Sequence, residues 1–104
     1  MRLRFIVAPS AKRQVKAVQD WWRVHRPAAP FLFEEELANA RRALLETPDI
    51  GLLAHYSEIA GVRKYLLPRT RYHVYYLVDH GRQTLFVLAV WSALRGSGPK
   101  LVKP

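Results

Sequence analysis

The sequence predicts an α+β domain in the order β-α-α-β-β-β, with a helical hairpin packed on one face of a small, curved, mainly antiparallel sheet. Three observations predict it. A short alternating run opens the chain, and three strand-type runs close it. Between them lie two stretches with helical periodicity, separated by a proline-containing turn. The chain has 104 residues, half of them hydrophobic, which suits one domain, residues 1–104, with one modest core.

The elements follow in order. In "RLRFIVA", Leu3, Phe5 and Val7 alternate with Arg2, Arg4 and Ile6, the period of a half-buried strand. Pro9 suits the first turn of a helix, and Ser10 is the expected N-cap, without a capping box. Ala11, Val15, Val18 and Trp22 form the apolar stripe of the first helix, which Pro27 and Pro30 end. The second helix runs from about Phe31 to Glu46 on a stripe of Phe33, Leu37, Ala40 and Leu44. Glu34, Glu35 and Glu36 load its first turns, where the helix dipole favours acids. "TPDIG" stops it.

Leu52 to Ala60 reads as a loop or a short helical turn. Three strands follow: "VRKYLL", "RYHVYYLVD" and "QTLFVLAVW". The last is apolar on both faces and should be the most central. "DHGR" reads as a hairpin turn with Gly81 at positive φ. The first strand joins the same sheet. With the helices on one face, the other face is expected to be concave and at least partly open, and to serve as the working surface.

Composition narrows the function. There is no cysteine, which removes disulfides, thiolate metal sites and a cysteine nucleophile. No run approaches the roughly 20 apolar residues of a membrane span, and "FIVA" is too short for a secretory core. A cytoplasmic protein with no membrane association is expected. The four histidines are scattered without metal-ligand spacing, and no glycine-rich loop precedes a helix, so neither a metal nor another cofactor is expected.

Charge is the stronger signal. The formal net charge is +9, and from Ile59 onward Asp79 is the only acid among eight basic residues. Such a field attracts a polyanion or an acidic protein segment. Within it, Arg63 and Tyr65 share one face of their strand, and Arg71, His73 and Tyr75 share one face of the next. Arg95 follows the last strand. If the hairpins bring these faces together, guanidiniums and phenols converge, and could stabilise a phosphoryl transition state without a metal. The competing view makes them solvated positions of a half-buried sheet. Adjacent Trp21 and Trp22 cannot share a helix face, so one is less buried and is a candidate partner contact.

Three stretches together resemble the RelE/ParE toxin superfamily of bacterial type II toxin–antitoxin systems. They are the helix pair from "VKAVQDWWRVHR" to "TPDIG", the strand pair "GVRKYLLPRTRYHVYYLVD", and the closing "LFVLAVWSALRGSGPKL". The resemblance implies a toxin neutralised by a cognate antitoxin, whose acidic C-terminal segment wraps it into a hetero-oligomer. For that contact the resemblance points to Trp21, Trp22, Lys64 and Arg69. It leaves two activities. ParE-like members inhibit DNA gyrase, and here Arg63, Arg71, Trp91, Ser92 and Arg95 would meet the target. RelE-like members cleave mRNA on the ribosome, and here Arg63, Arg71, His73, Tyr75 and Arg95 would be catalytic.

The end of the chain favours the first. Many relatives carry His after the "VW", where this chain has Ser92, a poor acid or base near neutral pH. Residues 93–104 read as a flexible basic tail close to the open face, and cutting after Ser92 is expected to abolish toxicity while sparing antitoxin binding.

Overall fold

The computed structural model describes residues 2–56 and 58–104. Its elements are β1 (Arg4–Val7), α1 (Pro9–His25), α2 (Leu32–Glu46), β2 (Leu52–Leu53), β3 (Arg63–Leu67), β4 (Tyr72–Asp79) and β5 (Thr84–Ser92). One sheet runs in the order β1-β5-β4-β3-β2. β1 lies parallel to β5, and the other pairs are antiparallel. The helical hairpin covers one face, so the α+β architecture is as the sequence predicts. β5 has a neighbour on each side, and its residues from Thr84 to Val90 are all buried.

The helices pack through the expected stripes. Ala11, Trp22, Phe33, Ala40 and Leu44 are buried against Leu67, Val74, Tyr76, Leu85, Val87 and Val90 of the sheet. Burial of this apolar surface holds the two layers together. Beyond the end of β1, the amide of Val90 has no strand partner on that side. The Gln14 side chain of α1 accepts its hydrogen bond at 2.8 Å instead.

Several local expectations are corrected. Leu52–Leu53 is a fifth strand, paired with β3, and the stretch after it is a loop, not a helical turn. Helix α1 begins at Pro9, one residue before the expected Ser10 cap. Ala8 holds the cap position without a side-chain bond, because Pro9 supplies the fixed φ of a first turn and needs no N–H acceptor. In the β4–β5 turn the left-handed residue is Gln83 (φ 50), not Gly81. The Asp79 carboxylate accepts the Arg82 amide at 3.1 Å, which closes the turn early and places the reversal just before β5.

Glu36 is also more than a helix-dipole acid. It is buried, and it accepts hydrogen bonds from the Arg69 amide (2.7 Å), the Thr70 amide (2.9 Å) and the Thr70 hydroxyl (2.6 Å). One carboxylate thus ties α2 to the β3–β4 turn.

The second face is less open than its sequence implies. Ile59, Val62, Tyr75, Phe86, Leu88 and Ala89 form a second core, joined by Ala54, Tyr56, Trp91 and Leu101. The β2–β3 loop and the tail therefore fold over this face, and the tail is not a free extension. The reason is local. A bulge leaves Leu88 unpaired in β5, since Tyr75 pairs with Ala89 and Tyr76 with Val87. Leu88 and Ala89 both turn to the second face, which then carries enough apolar surface to need a cover.

Candidate functional site

The β3–β4 register decides which polar groups meet. Leu66 pairs with His73 and Lys64 with Tyr75, so even residues of β3 face the same way as odd residues of β4. Lys64, His73 and Tyr75 therefore share the second face, with Trp91 beside His73 on β5. Arg63 and Tyr65 point to the helix side. The convergence of Arg63 with His73 and Tyr75 expected from sequence does not occur.

Arg63 has work on its own side. Its Nη1 donates to the carbonyls of Gly51 (2.7 Å) and Asp49 (3.3 Å), and Nε lies 4.0 Å from the Asp49 carboxylate. It fixes the loop after α2. Arg71 is exposed in the β3–β4 turn with φ 66, a conformation that costs a non-glycine residue roughly 1–2 kcal/mol. Its carbonyl accepts from Ala93 at 2.8 Å, so the turn also anchors the start of the tail.

On the second face the aromatic groups interlock. The Tyr75 ring stands edge-on to His73 and to Tyr56, each 6.1 Å away. Burial, then the charges of Lys64 and Arg71, hold the His73 pKa below its usual 6.5, so its ring is neutral at pH 7. Burial pushes both phenols upward, Tyr56 further helped by Tyr75. A neutral imidazole flanked by a cation and phenols can accept a proton or bind an anion. Tyr56 was not a sequence candidate. It sits in the stretch whose structure the sequence left open, and no periodicity marks it.

The end of β5 forms a second cluster. The Arg95 guanidinium lies 4.0 Å from the centre of the Trp91 ring, and Trp91 Nε1 donates to the Ser97 carbonyl at 2.8 Å. Ser92 Oγ accepts from the Leu94 amide, a turn-stabilising bond. Trp91, Ser92 and Arg95 line one cleft with Gln14, Trp21 and Tyr72. Of the paired tryptophans, Trp21 is the exposed one at 40%, stacked on His25 at 4.6 Å with the Arg26 guanidinium 4.8 Å from its centre. Trp22 is only 9% exposed and packs in the core between the helices and the sheet. Lys64, Arg69 and Trp21 lie on three separate parts of the surface: the second face, the β3–β4 turn and α1. Among the described residues, no three His, Asp or Glu side chains stand together to hold a metal ion.

The sequence model of the ParE toxin of the type II toxin–antitoxin system parDE matches residues 5–95. The chain belongs to the ParE toxin family. It is thus a type II toxin–antitoxin toxin, and the match runs from β1 through Arg95. Solved structures share the toxin's fold. A chain of the chromosomal ParDE system from P. aeruginosa superposes with a TM-score of 0.69 at 17% identity, covering 88% of this chain and 96% of that one. The isolated E. coli RelE toxin gives 0.61 at 21% identity, covering 90% and 87%. A chain of the intact E. coli RelBE toxin–antitoxin complex gives 0.60 at 21% identity, covering 89% and 99%. No curated protein matches the toxin by sequence. Among the described residues no helix is long and apolar enough to cross a membrane.

Proposed function

We propose that this toxin arrests growth by binding DNA gyrase and that a cognate antitoxin with an acidic segment neutralises it. The observation that carries the reading is the cleft at the end of β5. Trp91 and Arg95 offer an aromatic and cationic binding surface there, while Ser92 offers no acid or base. The ParE match over residues 5–95 supports the same branch. The target surface in this reading is Trp91, Ser92 and Arg95 with exposed Trp21, and Arg71 near the same end of the sheet. Arg63 acts through the loop it fixes and not by contact. A net charge of +9 suits an antitoxin whose segment is acidic, with Lys64 and Arg69 as charge partners. The ParDE and RelBE complexes among the structural neighbours support an antitoxin as partner. In a supercoiling assay with purified gyrase, toxin in excess should block supercoiling, and added antitoxin should restore it. Unimpeded supercoiling at toxin excess removes the proposal.

A second reading, a ribosome-dependent mRNA endoribonuclease, is favoured by one observation: neutral His73 beside Tyr75 and Lys64 on the second face. In it His73 takes the proton from the 2′-hydroxyl as that oxygen bonds to the adjacent phosphorus, the P–O5′ bond breaks, solvent water protonates the leaving 5′-oxygen, and Lys64 and Arg71 stabilise the phosphoryl charge. Primer extension on translated mRNA should show cuts that His73→Ala abolishes. Uncut mRNA removes this reading.

A further inference from the structure

The tail is held on the second face in an unusual way. Residues 96–104 make no backbone–backbone hydrogen bond among the described residues. Two side chains reach out to hold the tail instead. Trp91 Nε1 donates to the Ser97 carbonyl at 2.8 Å, and the Tyr56 hydroxyl donates to the Pro99 carbonyl at 3.0 Å. Pro99 is buried, and Leu101 packs into the second core. Between them, Gly98 passes so close that a Cβ there would lie 3.1 Å from Tyr56 Oη and 3.7 Å from Tyr75 Oη. Tyr75 is left only 6% exposed.

We propose that residues 97–101 are a strap that shuts the Tyr56–Tyr75 end of the second face and must lift before the toxin's protein target, docking from the Trp91 cleft, can reach it. The attachments are few, separate and local, and Gly96 and Gly98 leave the strap's backbone free to swing. Trp91, which anchors the strap through Ser97, also lines the target cleft with Ser92 and Arg95, so lifting the strap uncovers the side of the cleft that faces Tyr56 and Tyr75. The proposal rests on the toxin reading for its growth-arrest arm only. A partner that needs the face uncovered binds more weakly by the fraction of molecules that are open.

The test uses the full chain with Gly98→Val, which puts a branched side chain against Tyr56, and Leu101→Ala, which removes the apolar anchor. Val102→Ala, at an exposed position, is the control. Nitration by tetranitromethane, read residue by residue by mass spectrometry, reports access to Tyr75. Both strap variants should raise the Tyr75 rate about tenfold, a shift of about 1.4 kcal/mol in the opening equilibrium. Unchanged nitration in both variants overturns the strap. The second arm is induced growth arrest, where half-maximal arrest should need about tenfold less toxin. An open strap with unchanged or weaker arrest overturns its regulatory role. If no form of the toxin inhibits gyrase, the gyrase reading falls while the nitration arm still decides the strap.

Discussion

The hydroxyl of Tyr76 lies 2.9 Å from the amide nitrogen of Gly51, and it donates in turn to the Pro48 carbonyl at 2.6 Å. Tyr76 is fully buried in β4, so one phenol anchors the whole segment between α2 and β2. A Cβ at Gly51 would fall 2.6 Å from that hydroxyl and 2.9 Å from the Lys64 carbonyl. Gly51→Ala should therefore lower stability by about 3 kcal/mol, as overpacking does. Tyr76→Phe, which orphans a donor and an acceptor, should cost about 2 kcal/mol. Urea midpoints measure both.

Glu36 should behave as a structural carboxylate. Glu36→Ala strands the Arg69 and Thr70 amides and the Thr70 hydroxyl, and should cost about 3 kcal/mol. Glu36→Gln keeps an acceptor oxygen and should cost less. Native-state hydrogen exchange should place the new openings at Arg69 and Thr70, in the turn.

Two arginines should part company. Arg63→Ala should destabilise the fold by about 1–2 kcal/mol, because two carbonyls of the Asp49–Gly51 loop lose their donor. Its effect on growth arrest should track that loss. Arg95→Ala, at an exposed site, should leave the urea midpoint within about 0.5 kcal/mol of the parent and weaken arrest. Paired stability and arrest measurements on the two variants check this.

His73 gives the pH prediction. Its folded pKa lies below 6.5, so the unfolded chain binds the proton more tightly. Its contribution to stability is complete above about pH 6.5 and is lost as pH falls through the lower folded value. Denaturation of wild type and His73→Gln across pH 5–8 should show the parent losing more stability on acidification. Arg71→Gly removes a repelling charge and suits the left-handed turn, so it should move the His73 titration upward, as NMR of the ring protons would show.

Much of the fold was legible because it depends on local periodicity. The stripes of α1 and α2, the alternation in β1 and the doubly apolar β5 each follow from which face must be dry. The site was less legible. The residues of the "VRKYLL" and "RYHVYYLVD" strands were visible, but their relative facing depends on the β3–β4 register, which pairs Leu67 with Tyr72. A slip of one residue reverses every side chain. That parity sent Arg63 to the helix side and left Lys64 with His73 and Tyr75. The choice between Trp21 and Trp22 likewise needed the helix docked.

The element types, the helical hairpin, the positive charge of the second half and the family resemblance can all be read along the chain. These depend on composition and on neighbours three or four residues apart. What Glu36 and Arg63 hold, which tryptophan stays exposed, and the path of the tail across Tyr56 and Tyr75 emerge once the chain is folded. Those contacts join residues 12 to 43 positions apart. No local pattern encodes them, because they form only when register, bulge and loop closure bring distant groups within hydrogen-bond reach.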